Sequence, residues 1–255
     1  QGKKNIRGVS LFYVVCGSAE NVMLCMPGAL GTAKTDFGPQ LAKLSSSFTV
    51  VSFDPRGHGN SRPPNRTYSP QFYHEDAEDA AALMKSLGLS TFSVLGWSDG
   101  ANAAIILSAL YPERVRNLVI WGGNAFITAE DLERTEKTRS ISNWSARMRS
   151  SLEEVYSEDL QRMWSSFCDS MQRIFAENKD ICMSECKALK CPTFLLHGEL
   201  DPMVSPVHVE YFKNNIPTLK QFHSFPQGKH NIHLRFADEF NELVTRFILS
   251  SSSSL

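Results

Sequence analysis

The chain has 255 residues, 42% of them hydrophobic and 21% charged, which suits one domain with a sizeable core and is too short for two of average size. A formal net charge of −1 supplies no overall field for nucleic acid or a membrane surface. No apolar run reaches the roughly 18–20 residues of a bilayer span, and the polar, basic residues 1–8 lack the apolar stretch of a secretory signal.

In chain order, runs rich in β-branched and aromatic residues predict strands at 11–16, 22–26, 48–53, 92–95, 118–121, 193–196 and 221–225. Most are apolar throughout rather than alternating, as parallel strands covered on both faces should be. Helix-like stretches lie between them. Residues 72–87 place Ala77, Ala80, Ala81, Met84 and Leu87 near helical spacing, and 101–110 are small and apolar enough for a buried helix. Residues 236–249 carry Phe236, Phe240, Leu243, Val244 and Phe247 on one face. Strands alternating with helices imply an α/β fold with a mostly parallel central sheet flanked by helices.

The alternation breaks between 128 and 187, where no strand is visible. Thr128-Ala129-Glu130-Asp131 reads as a helix start, with a capping hydroxyl and acids in the first turn. The division expected is a core formed by 1–127 and 188–249, a helical lid at 128–187, and a disordered serine-rich tail at 250–255. Cys16 and Cys25 sit in strand-like runs as small hydrophobes. Cys182, Cys186 and Cys191 cluster, but without a C-x2-C pair or a matched histidine pair, so no metal is expected. Cysteine usage fits a reducing intracellular compartment.

Gly96-Trp97-Ser98-Asp99-Gly100 follows one predicted strand and precedes a helix. On such a strand-to-helix turn a serine hydroxyl projects free beside helix N-terminal amides. A base must take its proton, and in this arrangement the order along the chain is serine, acid, histidine. Asp201 follows the strand at 193–196, with the neighbouring Glu199 as competitor. His230 follows the strand at 221–225, with His233 as rival; the Gly228-x-His230 turn favours His230 as the catalytic base. The amides of Asp99 and of Ala29, in Pro27-Gly28-Ala29-Leu30-Gly31, are the expected oxyanion donors. Ala29, Leu30, Met203 and Asp99 are the expected substrate contacts. His58 and Arg56, in the turn 54–61, are read as structural, Arg56 tying loops together.

These residues resemble the α/β-hydrolase superfamily and, more closely, its biphenyl hydrolase-like (valacyclovir hydrolase) family. The resemblance is carried by Pro27-Gly28-x-x-Gly31, Asp54-x-Arg56-Gly57-x-Gly59-x-Ser61, the Ser98 turn, His197-Gly198-x-x-Asp201, the stretch 35–41 and the stretch 228–241. It implies a cofactor-free, metal-free serine esterase acting on esters of α-amino acids, including amino-acid ester prodrugs, with Asp99 binding the substrate ammonium. It also implies a mitochondrial location. A monomer with a small-molecule ester as its partner is expected. One departure is Ala29, where that family's pattern carries a bulkier methionine; the smaller residue enlarges the acyl pocket. The alternatives are a carboxylesterase or carbon–carbon hydrolase acting on substrates without a free amine, and a non-catalytic receptor of the same fold.

Overall fold

The computed structural model describes residues 1–252. Its sheet contains β1 (Gly2–Ile6), β2 (Val9–Cys16), β3 (Val22–Met26), β4 (Thr49–Phe53), β5 (Phe92–Trp97), β6 (Val115–Trp121), β7 (Thr193–Gly198) and β8 (Leu219–Phe225). Their spatial order is β1-β2-β4-β3-β5-β6-β7-β8. The pairs β1/β2 and β2/β4 are antiparallel; every later neighbour is parallel. This is the α/β-hydrolase fold.

Each central strand feeds two separate cores. Leu24, Val94, Leu118 and Ile120 enter one; Met23, Cys25, Leu95, Val119 and Trp121 enter the other. The period-two alternation is therefore between two apolar layers, which is why the strands read as continuous hydrophobic runs. The helices α1 (Ala33–Lys43), α2 (Phe72–Ser86) and α3 (Asp99–Leu110) follow β3, β4 and β5. Helices α2 and α3 cover the first face, through residues such as Ala77, Ala80 and Ile105. The second face is covered by Phe37 and Leu41 of α1 and by Phe240, Val244 and Phe247 near the C-terminus.

Between β6 and β7 the chain runs through α4 (Ala129–Lys137), α5 (Ala146–Tyr156), α6 (Leu160–Glu177) and α7 (Met183–Ala188). Thr128 caps α4 with a full capping box closed by Asp131. Tyr156 of α5 donates to Leu30 O (2.7 Å) and accepts from Gly59 N (3.1 Å). These helices thus touch the loops at the C-terminal ends of β3 and β4. After β7 come α8 (Pro206–Asn215), then, beyond β8, α9 (Ile232–Arg235) and α10 (Ala237–Ser252). Helix α10 carries the serine run to Ser252, so residues 250–252 are helical rather than part of the expected tail; 253–255 lie outside the described residues.

Candidate active site

Ser98 occupies the single residue between β5 and α3, with φ 56° and ψ −126°, a strained conformation for a residue with a side chain. Its N–H donates to Trp121 O on β6 (3.0 Å), and its carbonyl accepts from Ala101 N (2.8 Å). The flanking glycines let strand and helix close on it. A Cβ on Gly100 would lie 2.0 Å from Met26 O, and one on Gly96 would lie 2.7 Å from Ala101 Cα. The spacing G-x-S-x-G is thus a packing requirement of this turn.

The loops after β7 and β8 bring two more groups to the hydroxyl. His230 Nε2 lies 3.0 Å from Ser98 Oγ, and His230 Nδ1 lies 2.9 Å from Asp201 Oδ2. The other carboxylate oxygen accepts from Met203 N (2.8 Å) and Val204 N (3.2 Å). Burial works against ionisation of Asp201, but His230 and these amides outweigh it and hold the carboxyl below its ordinary range. Burial likewise pushes the His230 imidazole down. Asp201 first, then the more distant Asp99 and Asp36, reverse this and leave it above its ordinary value. With Asp201 ionised, Nδ1 carries the proton and Nε2 presents its lone pair to the hydroxyl. Such an arrangement can deprotonate a serine as it attacks a carbonyl. Trp97 Nε1 donates to His230 O (2.9 Å), tying the histidine loop to the nucleophile turn.

The rivals fall elsewhere. His233 is fully buried and both ring nitrogens are engaged: Trp121 Nε1 donates to Nδ1 (3.0 Å), so Nε2–H donates to Asp36 O (2.8 Å). Burial pushes its pKa down to about 3, fixing it neutral. Glu199 is an exposed carboxylate that accepts from Ser224 Oγ at 2.7 Å. Arg56 binds Asp79 of α2 through Nε (2.6 Å) and Nη2 (2.8 Å), joining the loop after β4 to that helix.

The loop after β3 presses on Ser98, a Cβ on Gly28 being only 3.1 Å from Ser98 Cβ. It is held from behind by Asp36, whose Oδ2 accepts from Gly28 N (2.9 Å) and whose Oδ1 accepts from Thr35 Oγ1 (2.8 Å). Burial raises the Asp36 pKa to about 7 against these hydrogen bonds. Gly31 is obligatory here, since its Cβ would fall 1.8 Å from Asp36 Oδ2. Sequence reasoning missed Asp36. The one sign was an acid just after a glycine-rich loop, within a helix the sequence did not reveal.

Beside Ser98 lies a cavity whose lining includes Ala29, His58, Arg66, Tyr68, Asp76 and Asp99. Arg66 is fully matched by Asp76 through two bonds, Nη1–Oδ1 (2.7 Å) and Nη2–Oδ2 (2.6 Å). Asp99 has only a neutral partner, the Tyr73 hydroxyl, which donates to Oδ1. Burial raises its pKa to about 6, against the Tyr73 hydrogen bond and the Arg66 charge. The cavity thus carries one carboxylate without a cation. Leu30, expected at the substrate, does not line this cavity: its side chain is fully buried in the core and its φ is 56°. Met203 contributes its amide to Asp201 and likewise lies outside the cavity lining. His58, expected to be structural, also lines the cavity.

Among the described residues no group of His, Cys, Asp and Glu is placed to hold a metal ion, and no helix is long and apolar enough to cross a membrane. The six cysteines are free thiols, five of them buried.

A family model for the alpha/beta hydrolase fold matches residues 21–140. Serine hydrolase BPHL of Homo sapiens is 42% identical over 249 residues, covering 96% of this chain and 85% of that protein; the Mus musculus protein matches to the same extent. The chain belongs to the biphenyl hydrolase-like family of serine hydrolases. Among solved structures, the enol-lactonase from Burkholderia xenovorans LB400 superposes with a TM-score of 0.77 at 21% identity, covering 97% of this chain and 99% of that one. A meta-cleavage product hydrolase from Pseudomonas fluorescens IP01 gives 0.76 at 23%, covering 98% of both. At that distance the two share the fold alone. As a biphenyl hydrolase-like serine hydrolase, the chain sets Ser98 at the sheet's central strand with Asp99 turned into the neighbouring cavity.

Proposed function

We propose that this protein hydrolyses esters of α-amino acids through an acyl-enzyme on Ser98. The observation that carries this reading is Asp99, a half-buried carboxylate next to the nucleophile with no cation of its own. Left unpaired, its charge opposes the negative charge that develops on the substrate carbonyl. A substrate α-ammonium removes that conflict and fixes the ester over Ser98.

His230 Nε2 takes the hydroxyl proton as Ser98 Oγ attacks the ester carbonyl. The resulting oxyanion accepts hydrogen bonds from the amides of Ala29 and Asp99; Asp99 N opens α3 and has no intrahelical acceptor. The intermediate collapses, the bond to the alcohol oxygen breaks, and the alcohol leaves with the proton from His230. Water, deprotonated by the same imidazole, then attacks the acyl-serine, releasing the amino acid and restoring the hydroxyl. Asp201 holds the imidazole in its tautomer throughout.

The test is selectivity. Asp99→Ala should lower the kcat/KM ratio of a free-amine ester over its N-acetyl counterpart by roughly 30-fold or more, as loss of a buried charge partner does. An unchanged ratio overturns the ammonium assignment and leaves the serine hydrolase standing. In the wild type the same ratio should fall as pH drops below about 6, where Asp99 takes up a proton.

A further inference from the structure

The cavity beside Asp99 has more hydrogen-bonding capacity than ester hydrolysis uses. Three of its lining side chains that carry hydrogen-bonding groups are more than nine-tenths buried: His58 (3% exposed), Arg66 (8%) and Tyr68 (9%). Yet neither ring nitrogen of His58, nor Arg66 Nε, nor the Tyr68 hydroxyl makes a well-formed hydrogen bond, although the Gly31 backbone interacts with the His58 ring and Arg66 with the Tyr68 hydroxyl. Buried polar atoms are almost always paired, so four unpaired ones around one space call for an explanation. The rest of Arg66 is locked, by Asp76 and by the Arg56 carbonyl 3.1 Å from Nη1. Burial first, then the Arg66 charge, holds His58 neutral, with one nitrogen a donor and the other an acceptor. Burial also keeps the Tyr68 hydroxyl protonated. Between these atoms the lining is largely apolar, including Phe53, Phe72 and Phe167.

We propose that this end of the cavity is the side-chain subsite for acyl groups of α-amino acids ending in a neutral hydrogen-bonding group, a carboxamide or a hydroxyl. The proposal rests on the reading that Asp99 holds the ammonium. With that group and the carbonyl fixed, the side chain is what remains to enter the cavity. A carboxylate there would find Arg66 already neutralised by Asp76, and a cation would face the guanidinium. An apolar side chain would seal the four polar atoms away unpaired, which a site rejects far more strongly than it rejects a small change of size. A carboxamide, by contrast, can accept from Arg66 Nε or Tyr68 and donate to His58.

The experiment compares benzyl esters of two shape-matched pairs, asparagine with leucine and glutamine with homoleucine, each as the free amine and as the N-acetyl form. The polar member should win in kcat/KM by about tenfold or more in at least one pair. Tyr68→Phe should cut that ratio several-fold without lowering the thermal midpoint, because the hydroxyl makes no well-formed hydrogen bond within the protein. Ratios at or below one in both pairs overturn the subsite while the amino-acid esterase reading stands. A polar preference untouched by Tyr68→Phe, or a lowered midpoint, removes Tyr68 from the subsite and overturns the arrangement proposed. Turnover of the N-acetyl esters with none of the four free amines, or of neither set, overturns both readings.

Discussion

The two sides of Ser98 are built on opposite rules. Toward the loops after β7 and β8, the polar groups are paired: Asp201 has three donors, His230 has Asp201 and Ser98, and His233 behind them has Trp121 and Asp36. Toward the loop after β4, Asp99 lacks a cation and His58, Arg66 and Tyr68 keep unpaired atoms. Groups that move a proton must already be in place when the reaction begins. Groups that recognise a substrate must leave a bond for it to complete. The paired side is assigned to chemistry and the unpaired side to choice of substrate, and mutations on the two sides should fail in different ways.

The largest effects belong to the paired side. Ser98→Ala and His230→Ala should each lower kcat by roughly 10⁴-fold or more, and the double variant by little beyond either single one, because the groups act as a unit. Steady-state rates on any accepted ester check this, with circular dichroism to show that the fold survives. A Ser98→Ala enzyme with undiminished turnover would end the assignment.

Asp36 comes next and tests whether the loop after β3 belongs to the paired side. Asp36→Ala removes the acceptor of Gly28 N and should cost about tenfold in kcat, a fraction of the effect of deleting an oxyanion donor outright. Asp36→Asn keeps an oxygen for that amide and should recover most of the loss. Both variants remove a negative charge that helps raise the His230 pKa. His230 works only when neutral, so the rate falls as pH drops through its pKa; a lowered pKa moves that acid limb to lower pH, by less than about one unit. A limb that stays put or moves upward contradicts the electrostatic coupling.

The smallest effect probes the helices between β6 and β7. Tyr156→Phe deletes the bonds to Leu30 O and Gly59 N and should cost about 1–2 kcal/mol of stability. The rate loss should be only a few-fold, since the loop is still held by Asp36. A loss as large as that of Asp36→Ala would make Tyr156 the main support of the loop.

Much of the fold could be read from sequence, because strands buried on both faces leave an unmistakable apolar run. β1 could not: it is an edge strand in which Gly2, Lys3, Lys4 and Asn5 alternate in exposure, with nothing apolar before Ile6. Helix α1 was hidden by Gly38 and Pro39 and by the non-helical Phe37, which kinks it. Helix α8 buries little besides His208, Val209 and Phe212, too sparse a stripe to notice. Ser98, Asp201 and His230 stood out because each lies on a loop after a legible strand. The support from Asp36 did not, since its partner is a backbone amide that leaves no mark in side-chain pattern. His58 is half legible for a related reason: a histidine between glycines looks like turn scaffolding, and only the folded chain shows that its ring also lines the cavity.

Ser98 N is tied to Trp121 O on the neighbouring strand, and its hydroxyl meets a histidine 132 residues further along the chain. The nucleophile turn is therefore completed only after β6 has docked, and its base arrives when the last strand has been laid down. A ribosome-bound or truncated chain ending before β8 carries the serine with no means of ionising it. Synthesis in the N-to-C direction thus delays the onset of hydrolysis until the sheet is whole, and enzymatic turnover reports on complete folding.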